Sequence, residues 1–145
     1  MEPHTDVSHI LDFLKSHPEI GPRIEHIHSI FASKGQYADF PDDLDERIVR
    51  AVRSRGIEQL YSHQRVCWDH IRDGDNIVVV TPTASGKTLC YNLPVLQSVL
   101  NDPGAKALYL FPTKALSQDQ VAELNEVVDE TGEPIKVYTF DGDTP

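Results

Sequence analysis

Eight consecutive residues near the middle of the chain have the types and spacing of a phosphate-binding loop. They are Thr81, Pro82, Thr83, Ala84, Ser85, Gly86, Lys87 and Thr88. The pattern is G-x-x-x-x-G-K-[ST], with Thr81 in place of the first glycine. Gly86 lets backbone N–H groups approach phosphate oxygens that a Cβ would crowd. Lys87 is predicted to reach the β- and γ-phosphates, and the Thr88 hydroxyl is predicted to ligate Mg²⁺.

The sequence on either side of this loop favours the motif over a chance Gly-Lys-Thr in a surface turn. Residues 77–80 are a continuous β-branched run, as expected for a buried strand. After Thr88, apolar residues recur at helical spacing to about residue 100. A strand, a tight loop and a helix start are the context that the motif requires. We therefore predict a nucleotide site at the loop, strengthened by the positive N-terminal end of the helix.

A second candidate residue, Gln64, lies upstream, at the end of residues 56–64. Ser62 is predicted to cap a helix, which places Gln64 in the first turn of that helix. A glutamine amide offers both a donor and an acceptor, and reading an adenine edge requires both. On chemistry alone, an inert and exposed Gln64 stays open as the alternative.

The surrounding pattern predicts an α/β fold with a parallel sheet. Strands are predicted at residues 77–80, 107–111 and 135–140, with helices between them. Thr113 is predicted to cap the second of these helices, and Asp42 is predicted to cap an earlier helix that ends before Gly56. Strands that alternate with helices indicate right-handed crossovers in one parallel sheet. A short helix is predicted near the N-terminus.

Composition limits the class of protein. The 145 residues carry a net charge of −10, which disfavours a non-specific nucleic-acid binder that relies on Lys and Arg. No apolar run approaches the ~18 residues of a membrane span. The N-terminus has no secretory or transit pattern. We therefore expect a cytoplasmic protein without a membrane partner, in which Cys67 and Cys90 are reduced thiols.

The carboxylate pair that an ATP-hydrolysing enzyme needs at a strand end is not found in this sequence. The one candidate, Asp129 with Glu130, follows only two apolar residues and continues a helical pattern. We predict that this pair lies at a solvated helix end. The 145 residues alone are therefore not expected to hydrolyse ATP at a useful rate.

The motifs together resemble the first RecA-like domain of superfamily 2 helicases of the DEAD/DEAH-box type. Residues 81–88 are similar to motif I of that family, and residues 56–64 are similar to its adenine-reading Q motif, although Tyr61 replaces the more usual proline. Phe40 stands about where the family keeps a base-stacking aromatic. Residues 111–120 resemble motif Ia. Residues 141–145 are similar to a signature of the branch typified by the mitomycin-repair helicase, which carries a C-terminal cysteine-rich domain.

The resemblance implies a site and a domain plan. It implies ATP and Mg²⁺ as cofactors, Gln64 as the adenine reader, and Thr113 and Lys114 as contacts to a nucleic-acid phosphate. It implies translocation on nucleic acid, with DNA favoured over RNA, coupled to ATP hydrolysis. Residues 1–34 would be an N-terminal extension. Residues 35–145 would be the first RecA-like domain of P-loop NTPase type, truncated before motif II, with a second RecA-like domain in the full-length protein.

Two other functions stay open at this point. A non-enzymatic nucleotide- or DNA-binding module would use the same loop without turnover. A small P-loop kinase would need acceptor-site and lid arginines, and none is visible in the sequence.

Overall fold

A computed structural model of the chain describes residues 7–28 and 35–142. The chain divides into two compact units, residues 1–34 and residues 35–145. In the first unit, helix α1 (Val7–Ser16) is followed by a 3₁₀ turn (Gly21–Arg23). The predicted N-terminal helix is therefore confirmed. The predicted branch signature at residues 141–145 lies outside the described residues, apart from Asp141 and Gly142.

The second unit is built mainly from four helices. In chain order its elements are β1 (Tyr37–Ala38), α2 (Glu46–Ser54), β2 (Leu60–Tyr61), α3 (Ser62–Arg72), α4 (Lys87–Asn101) and α5 (Lys114–Thr131). Helix α2 packs on α5, and α3 packs on α4. The buried apolar side chains of these helices form one core, which also takes in side chains from the loops that join them. The core residues are Leu44, Ile48, Ala51, Val52, Leu60, Trp68, Leu93, Leu96, Leu124, Val127 and Val128.

The helix ends follow local chemistry, with two corrections to the sequence prediction. Tyr61, and not Ser62, is the cap residue of α3, because Tyr61 still has extended backbone with ψ of 147° and Ser62 is already the first helical residue. Asp45, and not Asp42, caps α2, because the Asp45 carboxylate accepts a 2.8 Å hydrogen bond from the Arg47 backbone N–H. The predicted Thr113 cap of α5 is confirmed, since its hydroxyl accepts from the Leu116 N–H at 3.3 Å. Helix α5 ends at Gly132, which is left-handed with φ of 74°. A glycine adopts that conformation without a Cβ clash.

The parallel sheet is the part of the predicted fold that the structure does not show. The described residues contain one sheet, in which β1 and β2 run antiparallel, with Tyr37 opposite Tyr61. Residues 77–80, 107–111 and 135–140 are extended segments without an assigned strand. In the second and third segments one face reaches the core, where Tyr109, Ile135 and Val137 pack. Their alternate side chains are exposed, so the two-sided burial that favours parallel strands is missing.

Two smaller predictions concern acidic and thiol side chains. Asp129 and Glu130 lie exposed in the last turn of α5, which confirms that they do not follow a strand. Cys67 and Cys90 are free and buried. Burial, together with a smaller contribution from the neighbouring Cys67, raises the pKa of the Cys90 thiol to about 12. The Cys90 thiol therefore stays protonated at neutral pH.

Within residues 7–28 and 35–142, no helix is long and apolar enough to cross a bilayer.

Candidate nucleotide-binding site

The phosphate-loop pattern folds into a tight turn that leads directly into α4. Gly86 is the residue before the helix and has φ of 73°. Ala84 also has a positive φ, 59°, which is uncommon for a residue with a Cβ. The Thr81 and Ser85 hydroxyls lie 2.5 Å apart and close the turn. The left-handed residues Ala84 and Gly86 flank Ser85, which has a negative φ. Successive backbone N–H groups in turns that mix the two conformations form anion-binding concavities.

The Lys87 side chain folds back over this loop. Its ammonium donates to the carbonyl oxygens of Thr81 at 3.1 Å and Pro82 at 2.8 Å. It also lies 3.4 Å from the Ser85 hydroxyl oxygen. These acceptors are neutral, and charged phosphate oxygens form stronger bonds to an ammonium. The loop therefore keeps its cation at the place where a phosphate would be bound.

Gln64 joins the predicted adenine motif to the phosphate loop. Its amide oxygen accepts from the Tyr61 N–H at 2.8 Å, and its amide nitrogen donates to the Gly86 carbonyl at 2.7 Å. The side chain is buried, with 3% of its surface exposed. A Cβ on Gly86 would lie 2.6 Å from that amide nitrogen, so the approach requires glycine. One N–H and one lone pair of the amide remain for a base edge. Gln64 is therefore not exposed, and its role as the adenine reader stays a prediction.

Tyr37 is an aromatic residue of this site that the sequence reasoning missed. Pairing of β1 with β2 stacks its ring on that of Tyr61, with centroids 5.2 Å apart. Phe40 instead packs partly buried against the core, with the Arg53 guanidinium 5.4 Å from its ring centre. The alternation of Tyr37 and Asp39 ahead of a Pro-containing turn is the sequence signal that could have predicted a strand at Tyr37. It spans only two residues on one face, so it is a weak signal.

A cavity of about 430 Å³ adjoins these side chains. Its lining includes Tyr37, Gln59, Tyr61, Gln64, Gly86 and Thr88. Among the described residues, Phe40 is not part of this lining. The volume falls within the range of small-ligand pockets, and a stacked tyrosine beside a buried amide suits a flat heteroaromatic ring. Residues 56–64, which are similar to the Q motif, and the start of α4 therefore line the same cavity.

Thr88 presents an oxygen that fits a magnesium ion. Its hydroxyl donates to the Gln120 amide oxygen at 3.4 Å, which leaves the lone pairs of the Thr88 oxygen available. Mg²⁺ prefers oxygen ligands and is commonly held by one or two protein groups together with substrate phosphates. No cluster of three or more His, Cys, Asp or Glu that could hold a metal occurs in the described part of the chain. Thr88 beside a phosphate loop is consistent with that sparse kind of coordination.

The predicted nucleic-acid contacts lie at the start of α5. Thr113 is the residue before the helix, and Lys114 is its first residue. The Lys114 ammonium lies 3.9 Å from the Asp141 carboxylate. A helix N-terminus favours a phosphate through its unpaired N–H groups and its dipole. The structure thus brings Lys114 close to Asp141, the first residue of the branch signature.

Comparison with known proteins places these motifs in a family. Residues 61–145 match the DEAD/DEAH box helicase family. The chain belongs to the DEAD/DEAH box helicase family. The match begins at Tyr61 and includes Gln64, the phosphate loop and the start of α5. The family resemblance predicted from the sequence is confirmed.

Individual relatives of this helicase chain agree with the predicted branch. It is 56% identical over 117 residues to the uncharacterized ATP-dependent helicase YprA of Bacillus subtilis, covering 81% of this chain and 16% of that protein. It is 40% identical over 124 residues to the ATP-dependent helicase hrq1 of Schizosaccharomyces pombe, covering 83% of this chain and 12% of that one. The chain therefore spans less than a fifth of the length of these relatives.

Solved structures support the same assignment. The crystal structure of the DUF1998 helicase MrfA bound to DNA and AMPPNP aligns with a TM-score of 0.82 and 48% identity. That alignment covers 95% of this chain and 19% of MrfA. MrfA bound to DNA alone aligns over 81% of this chain with a TM-score of 0.77. The chain therefore has the fold of this part of a helicase, as the RecA-like α/β prediction requires.

Proposed function

We propose that this chain is the ATP-binding part of an ATP-dependent DNA helicase that couples ATP hydrolysis to translocation and duplex unwinding, in DNA repair. The observation that carries the proposal is the pair of hydrogen bonds from the Gln64 amide to Tyr61 and Gly86, because it holds an amide with the donor and acceptor that adenine recognition needs next to the phosphate loop. The relatives named as ATP-dependent helicases support it. A helicase structure similar to this chain was determined with DNA and AMPPNP.

The proposed roles follow from the contacts of each side chain. Residues 81–86 would cradle the phosphates, Lys87 would exchange its carbonyl partners for β- and γ-phosphate oxygens, and Thr88 would ligate Mg²⁺. Gln64 would use its remaining N–H and lone pair on the adenine edge. Thr113 and Lys114 would hold a phosphate of single-stranded DNA at the start of α5. Bound Mg²⁺ would neutralise charge that develops on the phosphates.

Residues 35–145 are proposed to be the first RecA-like domain, preceding motif II and a second RecA-like domain in the whole protein. Residues 77–80, 107–111 and 135–140 would be its central parallel strands. Half-buried and exposed side chains alternate at residues 77–80, 108–111 and 135–138, which supports this, since a strand has a period of two. In the whole protein, other parts of the chain would cover the exposed face of these strands. The sheet would then be buried on both faces, as parallel sheets are.

A titration of the 145-residue chain with a fluorescent ATP analogue tests the proposal. We expect Lys87→Ala to weaken binding by about 10-fold or more, because charge-assisted hydrogen bonds are lost. Lys106→Ala is the matched control and should bind like the unmodified chain. In the same titration Tyr37→Ala should weaken binding if Tyr37 stacks on adenine, and Phe40→Ala should weaken it if the aromatic predicted from sequence does so. Absence of nucleotide binding, or an unchanged Lys87→Ala variant, would refute the proposal.

Binding of single-stranded DNA with and without a non-hydrolysable ATP analogue separates the remaining alternatives. A helicase fragment should show DNA affinity that changes when the nucleotide is present. A plain DNA-binding module would show no nucleotide dependence, and a P-loop kinase would show no DNA binding.

A further inference from the structure

Gln120 connects the proposed magnesium ligand to the helix that carries the proposed DNA contacts. It lies on α5, in sequence 32 residues from Thr88, and its amide oxygen accepts from the Thr88 hydroxyl at 3.4 Å. The same oxygen accepts from the Tyr91 hydroxyl at 2.6 Å. An amide oxygen has two lone pairs, so it accommodates both donors. Gln120 is half-buried, which limits competition from water.

The orientation of the Gln120 amide is fixed by a third partner. Its nitrogen lies 3.3 Å from a carboxylate oxygen of Glu123. A carboxylate can only accept, so the amide nitrogen must face Glu123 and the amide oxygen must face Thr88. Glu123 is in turn held by Arg55, the residue after α2, whose guanidinium donates to the Glu123 backbone carbonyl at 3.0 Å. Contacts from α4, from α5 and from the end of α2 therefore set which amide atom faces Thr88.

The direction of the Thr88 hydrogen bond has a chemical consequence. A hydroxyl oxygen that ligates Mg²⁺ must offer a lone pair, so its proton has to be donated to another group. If the hydroxyl instead accepted a bond at this point, one of its lone pairs would be occupied. Groups that orient metal ligands in this way commonly change metal affinity by 10- to 100-fold when they are removed.

We propose that Gln120 is a positioning residue that accepts the Thr88 proton and thereby keeps the Thr88 oxygen ready for Mg²⁺. Gln120 makes no contact with nucleotide in this role. The inference rests on the proposed nucleotide function of the phosphate loop. It adds a link between the cation ligand on α4 and α5, the helix that begins with Thr113 and Lys114.

The experiment compares binding of a fluorescent ATP analogue in MgCl₂ with binding in EDTA, so that the readout is affinity and not turnover. In the unmodified chain, Mg²⁺ should tighten binding, and Thr88→Ala should abolish that gain. Gln120→Leu should reduce the gain by about 10-fold while leaving the affinity in EDTA unchanged. Gln118→Leu makes the same change at an exposed position of α5 and should keep the full gain.

A second variant tests whether the effect of Gln120→Leu comes from a general packing defect. Gln120→Glu combined with Glu123→Gln exchanges the acid and the amide, so an oxygen still faces Thr88 and a nitrogen donor remains in the pair. This double variant should recover most of the magnesium gain. Glu123→Gln alone removes the ion pair between the Glu123 carboxylate and the Arg55 guanidinium, which lie 3.7 Å apart. It should keep most of the gain, because an amide oxygen at 123 still accepts from the Gln120 nitrogen.

The outcomes separate this inference from the proposed function. If Gln120→Leu lowers the nucleotide affinity equally in MgCl₂ and in EDTA, Gln120 has a purely structural role and the inference is overturned. An unchanged magnesium gain in Gln120→Leu would overturn it as well, while the nucleotide site would stand. If the unmodified chain binds no nucleotide in either buffer, the proposed function fails and the inference fails with it.

Discussion

At the scale of single residues, the site depends on close approach between side chains and backbone. Gln64 reaches the Gly86 carbonyl because position 86 has no Cβ, and Gly86 also has the positive φ that starts α4. One glycine therefore meets two separate requirements, a steric one and a conformational one. Any larger residue at 86 has to satisfy both.

Substitution of Gly86 by alanine separates these two requirements when Gly74 serves as the control. Both glycines have positive φ, but a Cβ at Gly74 would meet nothing within 4 Å. We expect Gly74→Ala to cost about 1–2 kcal/mol of unfolding free energy from the left-handed backbone alone. Gly86→Ala should cost about 1 kcal/mol more, because the buried Gln64 amide loses its partner. Urea denaturation of both variants measures the difference.

The cause of that difference is tested in a second background. When Gln64 is first replaced by alanine, Gly86→Ala should cost no more than Gly74→Ala. A surplus that persists without the Gln64 side chain would mean that the phosphate loop itself, and not the Gln64 contact, resists the alanine.

At the scale of secondary-structure elements, α2 is held in place by its N-cap. The Asp45 carboxylate accepts from the Arg47 backbone and pairs with the Arg47 guanidinium at 2.7 Å. Arg47 also pairs with Glu133, just beyond the end of α5. The hydrogen bond from the Arg47 side chain lowers the pKa of the Asp45 carboxyl to about 2. The ionised Asp45 carboxylate therefore stabilises the start of α2 and also positions Arg47 for its contact with Glu133.

The sign of the resulting pH dependence follows from linkage. Because the folded pKa of Asp45 is about 2, below its ordinary value of 3.8, its stabilisation is fully present above pH ~4 and is lost as the pH falls through about 2. Asp45→Ala should cost about 1 kcal/mol at neutral pH through loss of the cap. Asp45→Asn keeps an accepting oxygen but no charge, so its unfolding free energy should fall less steeply between pH 4 and pH 2.

Urea unfolding at several acidic pH values checks this prediction. Asp42→Asn is the matched control, because Asp42 is exposed and does not cap the helix in the structure. If the unmodified chain and Asp45→Asn lose stability in parallel over that pH range, the Arg47 contact does not govern the acid sensitivity.

At the scale of the whole molecule, the chain exposes an apolar face along the extended segments that follow α3, α4 and α5. These side chains are between 79% and 90% exposed. They are Val78, Val80, Leu108, Leu110, Tyr138 and Phe140. Large apolar side chains exposed together in neighbouring positions of a segment are typical of a contact surface or an aggregation hazard. YprA and MrfA are about five times as long as this chain, which agrees with a face that other parts of such a protein would cover.

We expect this face to drive self-association of the isolated 145 residues. The double substitution Leu108→Lys with Leu110→Lys changes two residues on the same face of one extended segment, since their spacing is two. It should lower the apparent mass in light scattering at a given concentration and leave the helical circular-dichroism signal unchanged. Val66→Lys, at a half-exposed position on α3, should leave self-association as it is. Equal association of the double variant and the unmodified chain would contradict the prediction.

The sequence alone determined the parts of this protein that depend on neighbours along the chain. The tight turn at the phosphate-loop pattern, the helix that follows it, the Thr113 cap and the position of Gln64 in the first turn of α3 were predicted, because each pattern fits within one turn or loop. The helicase family followed from the same short motifs. The sequence did not distinguish Asp42 from Asp45 as the cap of α2, because both are acidic residues ahead of the same helix. Only the packing of the helix selects between them.

The tertiary structure decided which of these local pieces meet. Gln64 bonds to Gly86 across 22 residues, and Thr88 meets Gln120 across 32 residues. Tyr37 faces Tyr61 through the register of β1 and β2, while Phe40 turns into the core. No local pattern encodes these distances, because they depend on how helices and strands pack against one another. The parallel sheet was predicted from burial on both faces, and in this chain only one face of those segments is covered.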